Sequence, residues 1–178
     1  MLDANKLGAL GQLIGDRVAD ALAGLSPTAG AILTMMHFRP GKSTSELALI
    51  CGVSQPTAVR VMDGLERQGL VERGEIQGRV TPLSLTEAGE RRALAFQQAR
   101  LATLDGLLAP LSPEERVVFE TLVDRILVGA TTSRAFARTN CRLCEHDLCG
   151  PDLCPIGRRA CALEAALAAG STVKGEPS

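Results

Sequence analysis

Apolar residues recur every three or four positions along most of the chain, which is the spacing of an amphipathic helix. The first such segment spans residues 4–23 and has apolar positions at Leu7, Leu10, Leu13, Ile14, Val18 and Leu22. A stripe this regular predicts a helix that packs one face against another element. The next segment, residues 27–38, has Ser26 as its N-cap, and Pro40-Gly41 ends it.

Two shorter helices follow, separated by a glycine. The run STSE at residues 43–46 has the spacing of a capping box and predicts a helix over residues 44–51. Gly52 interrupts the pattern, and Ser54 then caps a helix that runs to about Gln68. A helix, a tight turn and a second helix in this order predict a helix-turn-helix.

The period of the pattern changes after this pair of helices. The segment LVERGEIQGRVTPLSLT predicts two short strands joined by a turn between Gly74 and Gly78. Thr86 and Ser112 then cap two long helices, which extend to about residues 108 and 138. The run RRACALEAALAAG predicts one more short helix, and a frayed tail follows it.

Composition agrees with a helical fold and narrows the function. Hydrophobic residues make up 46% of the 178 residues and aromatic residues only 2%, so the core must be aliphatic. The net charge of -1 excludes a strongly basic protein but allows a local DNA-binding face. No apolar run approaches the roughly 20 residues of a membrane span, and the N-terminus lacks a secretory signal. We therefore expect a cytoplasmic protein without a membrane partner.

The second helix of the predicted helix-turn-helix has two different faces. One face is apolar and carries Ala58, Val61, Met62 and Leu65. The other is polar near the N-terminus of the helix and carries Ser54, Gln55, Thr57 and Arg60. Short polar groups can enter a major groove, and the helix N-terminus attracts phosphate. We predict that Gln55 and Arg60 read bases and that Arg79, at the hairpin tip, contacts a phosphate or the minor groove. The alternative is an ordinary solvated helix face.

These motifs in this order resemble the MarR family of bacterial transcriptional regulators. The resemblance spans roughly residues 25–130 and rests on STSELALICGVSQPTAVRVMDGLERQGLVER and the following LSLTEAG. It implies a homodimer that places two recognition helices in successive major grooves of palindromic double-stranded DNA. Family members also often bind small aromatic acids between the dimer region and the winged helix. The wing departs from the family pattern, because Gln77-Gly78-Arg79 stands where members usually carry Asp-Arg-Arg.

The expected fold is therefore mainly α, a winged helix-turn-helix with a helical dimerisation region and a short cysteine-rich C-terminal extension. The expected parts are a dimerisation helix (1–25), the winged helix-turn-helix (26–90), the long dimerisation helices (91–138), the extension (139–170) and a flexible tail (171–178). Two histidines, no phosphate-binding loop and no nucleophile-base arrangement argue against an enzyme.

Four cysteines lie within CRLCEHDLCGPDLCP, at positions 141, 144, 149 and 154. In a reducing compartment, clustered thiols predict a metal centre before they predict a structural disulfide. Cys141, Cys144, Cys149 and Cys154 can supply a tetrahedral shell of four sulfurs, which suits structural Zn²⁺ or an iron-sulfur cluster. The spacing equals that of a zinc knuckle with a cysteine in place of histidine, while the single C-x2-C pair and the final Cys-Pro are similar to iron-sulfur loops. Both identities stay open, as does a disulfide switch if the thiols are free.

Four further residues have chemistry that a site could use. We expect His146 to be a solvated loop residue, the alternative being a ligand in place of one cysteine. We expect Cys161 to be a spare buried thiol, the alternative being a further ligand. Cys51 is expected to be a small buried hydrophobe, and His37 a core or interface residue. The hypothesis is a dimeric DNA-binding regulator that responds to metal or redox state, and the alternative is a winged helix that docks on proteins or carries a cluster without reading DNA.

Overall fold

The structure is a computed structural model that describes residues 1–74, 82–150 and 153–172, with side chains described to residue 169. Within these residues it contains helices and one small sheet, as the sequence predicts. The helices are α1 (Leu2–Ala21), α2 (Pro27–Phe38), α3 (Thr44–Cys51), α4 (Gln55–Arg67), α5 (Glu87–Leu108), α6 (Pro113–Ala130), α7 (Arg134–Asn140) and α8 (Pro155–Thr172). The strands are β1 (Val71–Arg73) and β2 (Leu83–Leu85).

Side-chain caps begin most of these helices where the sequence predicts them. The hydroxyl oxygens of Ser26, Ser43, Ser54, Thr86 and Ser112 each accept a hydrogen bond from the backbone N–H three residues ahead. Such a cap satisfies one of the backbone donors that a helix N-terminus leaves without a partner. Both predicted capping boxes form, Ser43 with Glu46 and Ser112 with Glu115.

The core lies in the winged helix, and α2 runs through its middle. It is built from aliphatic side chains and methionines of five elements, among them Ile32, Leu33, Met35, Leu47, Ile50, Met62, Leu65, Val71 and Ala93. The apolar face predicted for α4 is confirmed, because Ala58, Met62 and Leu65 are buried and Val61 packs against the core. Gly52, between α3 and α4, has φ +67, a left-handed conformation that glycine adopts without strain.

The two strands pair antiparallel, with Val71 opposite Leu85 and Arg73 opposite Leu83. The hydroxyl of Thr86 donates to the carbonyl oxygen of Gly69 at 2.6 Å, which ties the start of α5 to the entry of β1. This antiparallel pair is the base of the predicted hairpin. The turn between Gly74 and Gly78 and the tip residue Arg79 fall in residues 75–81, outside the described residues.

The predicted helix from Ser112 to about Arg138 is wrong in its length, because it is two helices. α6 ends at Ala130, and Thr131 is extended with ψ 111. The hydroxyl of Thr131 donates to the carbonyl oxygen of Leu127 at 2.7 Å, and this bond competes with continued helix. Ser133 then caps α7. At the other end of the extension, α8 begins at Pro155 and is longer than the short helix predicted.

Two helices bury none of their residues within the described chain, namely α1 and α6. Their exposed apolar side chains include Leu7, Leu10, Leu13, Val117, Val118, Leu122 and Ile126. α1 packs against α5 along part of its length, and α6 packs against α8. No helix in the described part of the chain is long and apolar enough to cross a membrane.

Candidate nucleic-acid interface and cysteine cluster

The polar face of α4 is exposed at all four predicted positions, Ser54, Gln55, Thr57 and Arg60. Ser54 also has a structural task, since its hydroxyl oxygen accepts from the backbone N–H of Thr57 at 3.4 Å. The two hydroxyl oxygens of Ser54 and Thr57 lie 2.8 Å apart and share a hydrogen bond. Both hydroxyls therefore stand at the N-terminus of α4, where free backbone N–H groups attract phosphate.

Gln55 and Arg60 differ from the other polar residues of α4, because their side chains make no hydrogen bond or ion pair within the described chain. Arg67, about two turns after Arg60, instead donates to the backbone oxygen of Asp63 at 3.3 Å. Because Ala58 and Met62 hold the opposite face in the core, the orientation of α4 is fixed. Gln55 and Arg60 are thus presented on a rigid helix with their donors free.

The base of the wing is held on α4 by an arginine that the sequence analysis missed. Arg73, on β1, pairs with Asp63 and lies 3.4 Å from a carboxylate oxygen of Glu66. The two carboxylates follow one another at helical spacing on α4. Their partner belongs to the strand, so no local pattern identifies it.

The four cysteines of the candidate metal site come together. Cys141, Cys144, Cys149 and Cys154, called the thiol cluster below, line one cavity of about 510 Å³. The cavity lies between the end of α2, α3, α7 and the beginning of α8. The thiol of Cys141 is close enough to those of Cys144 and Cys154 to affect its pKa, and the thiol of Cys149 is likewise close to that of Cys154. The sequence prediction that these thiols lie close together is thus met in the fold.

The thiols of the cluster have unequal proton affinities. A hydrogen bond from Cys141, and next the positive charge of Arg100, lower the pKa of Cys144 to about 6. Donation of that hydrogen bond and burial raise the pKa of Cys141. The backbone N–H of Gly157, in the first turn of α8, donates to the sulfur of Cys154 at 3.2 Å. Positive charge and N–H donors around thiols favour the thiolate form that binds metals.

The thiol cluster nevertheless does not have finished metal-ligand geometry. Among the described residues, no group of three or more His, Cys, Asp or Glu side chains is arranged as metal ligands. By donor type alone, four cysteine thiols suit a four-sulfur centre.

The expectation of a solvated His146 is met only in part, because the residue is half-buried. Its Nδ1 lies 3.3 Å from a guanidinium nitrogen of Arg39, and its ring packs edge-on against Phe38 with centroids 6.0 Å apart. Burial, and next the charge of Arg39, lower the pKa of His146. Its Nε2 is buried and has no hydrogen-bond partner. The residue lies against the end of α2 because the cysteine-rich extension folds back on the winged helix.

Helices α5 and α3 also contact the cysteine-rich extension. Gln97, buried in α5, donates from its amide nitrogen to the backbone oxygen of Leu143 at 2.8 Å. Thr139, on α7, packs against Gly52, and its hydroxyl lies 3.5 Å from the backbone oxygen of Leu49. Gln97 and Arg100 carry no sequence signal for this role, since more than 40 residues separate them from the cysteines.

Cys161, Cys51 and His37 lie in three different environments. Cys161 lies on α8 as expected, but it is exposed rather than buried. It lines the same cavity as the thiol cluster, and Arg134 donates to its sulfur at 2.9 Å. Arg134 also donates to Glu164 at 2.6 Å, which joins α7 to α8. Cys51 packs against the core, and burial raises its pKa to about 11, in agreement with a hydrophobic role. His37 is half-buried and pairs with Glu90.

Comparison with known proteins supports a MarR-type winged helix. Residues 23–79 match the sequence model of the MarR family. The multidrug-efflux regulator MepR of Staphylococcus aureus is 18% identical, with 71% of this chain and 96% of that chain covered and a TM-score of 0.64. A MarR family protein from Bacillus stearothermophilus is 24% identical, with coverages of 72% and 93% and a TM-score of 0.65.

A third similar structure is a complex with DNA. A Mycobacterium tuberculosis MarR family protein in complex with DNA is 25% identical, with 69% of this chain and 95% of that chain covered and a TM-score of 0.58. Structures of that protein with p-aminosalicylic acid and with salicylic acid are also similar to this chain. The match to the family model ends at residue 79, so the thiol cluster lies beyond it.

Proposed function

We propose that this chain is a non-enzymatic, MarR-like transcriptional regulator that binds palindromic DNA in the cytoplasm as a homodimer. The observation that carries the proposal is the exposed N-terminal face of α4, where Gln55 and Arg60 have free donors on a helix fixed by its buried side. Gln and Arg are the side chains that read adenine and guanine edges in a major groove. The DNA complex of the M. tuberculosis relative supports the same use of this fold.

The homodimer is supported by the apolar surface of α1 and α6. Leu7 on α1 is 57% exposed, and Val117 and Ile126 on α6 are 65% and 56% exposed. An apolar surface of this kind on a small protein marks an interaction site. A second copy provides a matching apolar surface by two-fold symmetry, and such a dimer presents two copies of α4 to one duplex.

The DNA-reading role can be tested without a known operator. Duplexes that the wild-type protein enriches from a random pool serve as the probe, and Kd is measured at two salt concentrations. We expect Arg60→Ala to weaken binding by about 1–3 kcal/mol, roughly 5- to 150-fold in Kd. Arg67→Ala is the matched control, because it removes the same charge from the same helix at a side chain already bonded to its own backbone. If both variants weaken binding equally, Arg60 only attracts the DNA through its positive charge and does not read a base.

Failure to enrich any duplex, with or without metal, would contradict the regulator and favour the docking alternative. The net charge of -1 is compatible with that alternative. Binding that weakens steeply with salt is expected if Arg and Lys side chains displace counterions from DNA phosphates.

We further propose that Cys141, Cys144, Cys149 and Cys154 hold one metal centre, either Zn²⁺ or an iron-sulfur cluster. Supporting observations are their shared cavity, the charge of Arg100 beside Cys144 and the backbone donor on Cys154. The centre would supply a cross-link within the extension if it is zinc, and a redox-active group if it is an iron-sulfur cluster. These four residues would hold it as thiolates.

Metal analysis and a visible spectrum of anaerobically purified protein test this centre. We expect Cys144→Ser to lose the metal and Cys161→Ser to keep it, because Cys161 lies outside the four-thiol group and is bonded to Arg134. If the centre regulates, DNA affinity of metal-loaded and metal-free protein should differ by about 1–3 kcal/mol. Colourless, metal-free protein would refute the centre.

A small-molecule ligand is a separate proposal that rests on the relatives solved with aromatic acids. Such a ligand would bind between the dimerisation helices and the winged helix. Isothermal titration of the wild-type protein with salicylate, in the presence and absence of the selected duplex, tests it. Weaker DNA binding with salicylate is the expected result, and equal Kd values would reject this ligand.

A further inference from the structure

The cysteine-rich extension is anchored to α6 by a small apolar core of its own. Ala137 on α7 and Ile156 and Ala160 on α8 are buried, and Leu127 in the last turn of α6 packs against them. This cluster is separate from the core of the winged helix. α7 is therefore fixed to α6, one of the two helices whose apolar surface supports the proposed dimer.

The end of α7 reaches the turn of the helix-turn-helix. The methyl group of Thr139 lies 3.6 Å from the position that a Cβ of Gly52 would take, and its hydroxyl lies 3.5 Å from the backbone oxygen of Leu49. Arg142 donates to the backbone oxygen of Thr139 at 2.7 Å, and its positive charge acts on Cys51, the last residue of α3. A cation is favourable there, because it meets the negative end of the helix dipole. The contact at Gly52 lies two residues before the N-cap of α4.

The same stretch of chain is held by α5. Gln97 is buried, and its amide nitrogen donates to the backbone oxygen of Leu143 at 2.8 Å. Arg100 donates to the amide oxygen of Gln97 at 3.5 Å, so the amide nitrogen is the end that faces Leu143. Residues 139–143, called the strap below, thus join the α6 side of the molecule to both α3 and α5.

The strap is a second connection between the winged helix and the α6 side of the chain. The first connection is α5, which begins in the winged helix and leads directly to α6. One helix allows the parts at its two ends to change their relative angle by bending. A second attachment at the turn before α4 removes much of that freedom. When two binding elements are held rigidly, less entropy is lost as both engage one ligand.

We infer that Thr139 and Gln97 are positioning residues for DNA binding, which act through the strap to hold α4 at a fixed angle to the dimer helices. They thereby set which spacing of half-sites the dimer accepts. This inference rests on the proposed DNA-binding homodimer. One base pair inserted between two half-sites moves them apart by about 3.4 Å and rotates them by about 35°. A dimer with an intact strap resists that change, whereas a dimer with a loosened strap follows it.

The test uses full-length protein that carries Thr139→Ala and Gln97→Ala together. Kd is measured for the selected palindromic duplex, for that duplex with one base pair inserted at its centre, and for a single half-site. Wild-type protein should bind the lengthened duplex about 100-fold more weakly than the selected one, because avidity is lost when geometry prevents both half-sites from engaging. In the double variant this ratio should fall by about 10-fold, mainly through weaker binding of the selected duplex. Its Kd for the half-site should match that of wild type, since the polar face of α4 is unchanged.

The matched control carries Thr132→Ala and Gln98→Ala. Thr132 lies between α6 and α7, Gln98 lies on α5, and both are exposed. Neither side chain makes a hydrogen bond within the described part of the chain. The control should keep the wild-type ratio.

The outcomes separate this role from the proposed function. Wild-type protein that binds no duplex overturns the DNA-binding function and the positioning role together. Wild-type binding with an unchanged ratio in the double variant overturns only the positioning role. Loss of half-site binding in the double variant also overturns it, because the strap would then be needed for the folding of α4 and not for its angle.

Discussion

At the scale of single residues, Gly89 in α5 lies in very close contact with the backbone that leads into β1. A Cβ at this position would lie 1.9 Å from the backbone oxygen of Leu70. That oxygen also accepts a hydrogen bond from the backbone N–H of Thr86 at 3.1 Å, so the strand cannot withdraw without breaking the bond. The glycine of the LTEAG motif is therefore required by the packing of α5 on the entry to β1.

Gly89→Ala should consequently destabilise the protein by about 3 kcal/mol, the upper range for overpacking. Gly106→Ala, near the end of the same helix, is the control, because a Cβ there meets nothing within 4 Å. It should be neutral or stabilise by up to about 1 kcal/mol. Thermal denaturation of both variants measures the difference, and equal melting temperatures would contradict the close approach.

At the scale of an element, α3 depends on its capping box. Glu46 accepts from the backbone N–H of Ser43, the largest cause of its lowered pKa, and the neighbouring Lys42 lowers the pKa further. A carboxylate whose pKa is lower in the folded state stabilises that state above its unfolded pKa. The contribution is lost as the pH falls through the lower, folded value.

The difference in stability between wild-type protein and Glu46→Ala should therefore be about 0.5 kcal/mol at pH 7 and should shrink below pH 4. Denaturant unfolding at several pH values measures it. Glu120→Ala, an exposed glutamate within α6, is the control for simple loss of a carboxylate. A difference that stays constant from pH 7 to pH 3 would show that the carboxylate charge does not stabilise α3.

At the scale of the whole molecule, a single chain leaves α1 and α6 without cover for their apolar side chains. Leu122 on α6 is 49% exposed. If a second copy covers it, a charge at this position must be buried without a partner in the dimer, which is costly. The buried charge therefore weakens association of the two subunits, while the winged-helix core is unchanged.

Leu122→Glu should thus shift the protein from dimer to monomer in sedimentation velocity and weaken binding to a palindromic duplex. Leu49→Glu is the matched control, because Leu49 is 77% exposed on α3, outside the α1 and α6 surface. The control should sediment like wild type. Leu122→Glu that remains a dimer would show that α6 is not at the interface.

The order and type of the elements could be predicted from the sequence, because those signals act over three or four residues. Ser26, Ser43, Ser54, Thr86 and Ser112 cap the helices that they precede, whatever the rest of the chain does. The apolar face of α4 follows from its period. The break between α6 and α7 does have a local signal that the prediction of one long helix missed, because residues 131–134 are all polar and Ser133 caps α7.

The sequence by itself also determined which thiols are candidates for a metal, because the four cysteines lie within a span of 14 residues. Only the tertiary structure decided what surrounds them. Arg39, Gln97 and Arg100 reach the cysteine-rich extension from α5 and the end of α2, and no periodicity links positions so far apart. Folding of the extension onto the winged helix partly buries His146, so its environment depends on contacts with distant segments such as the end of α2.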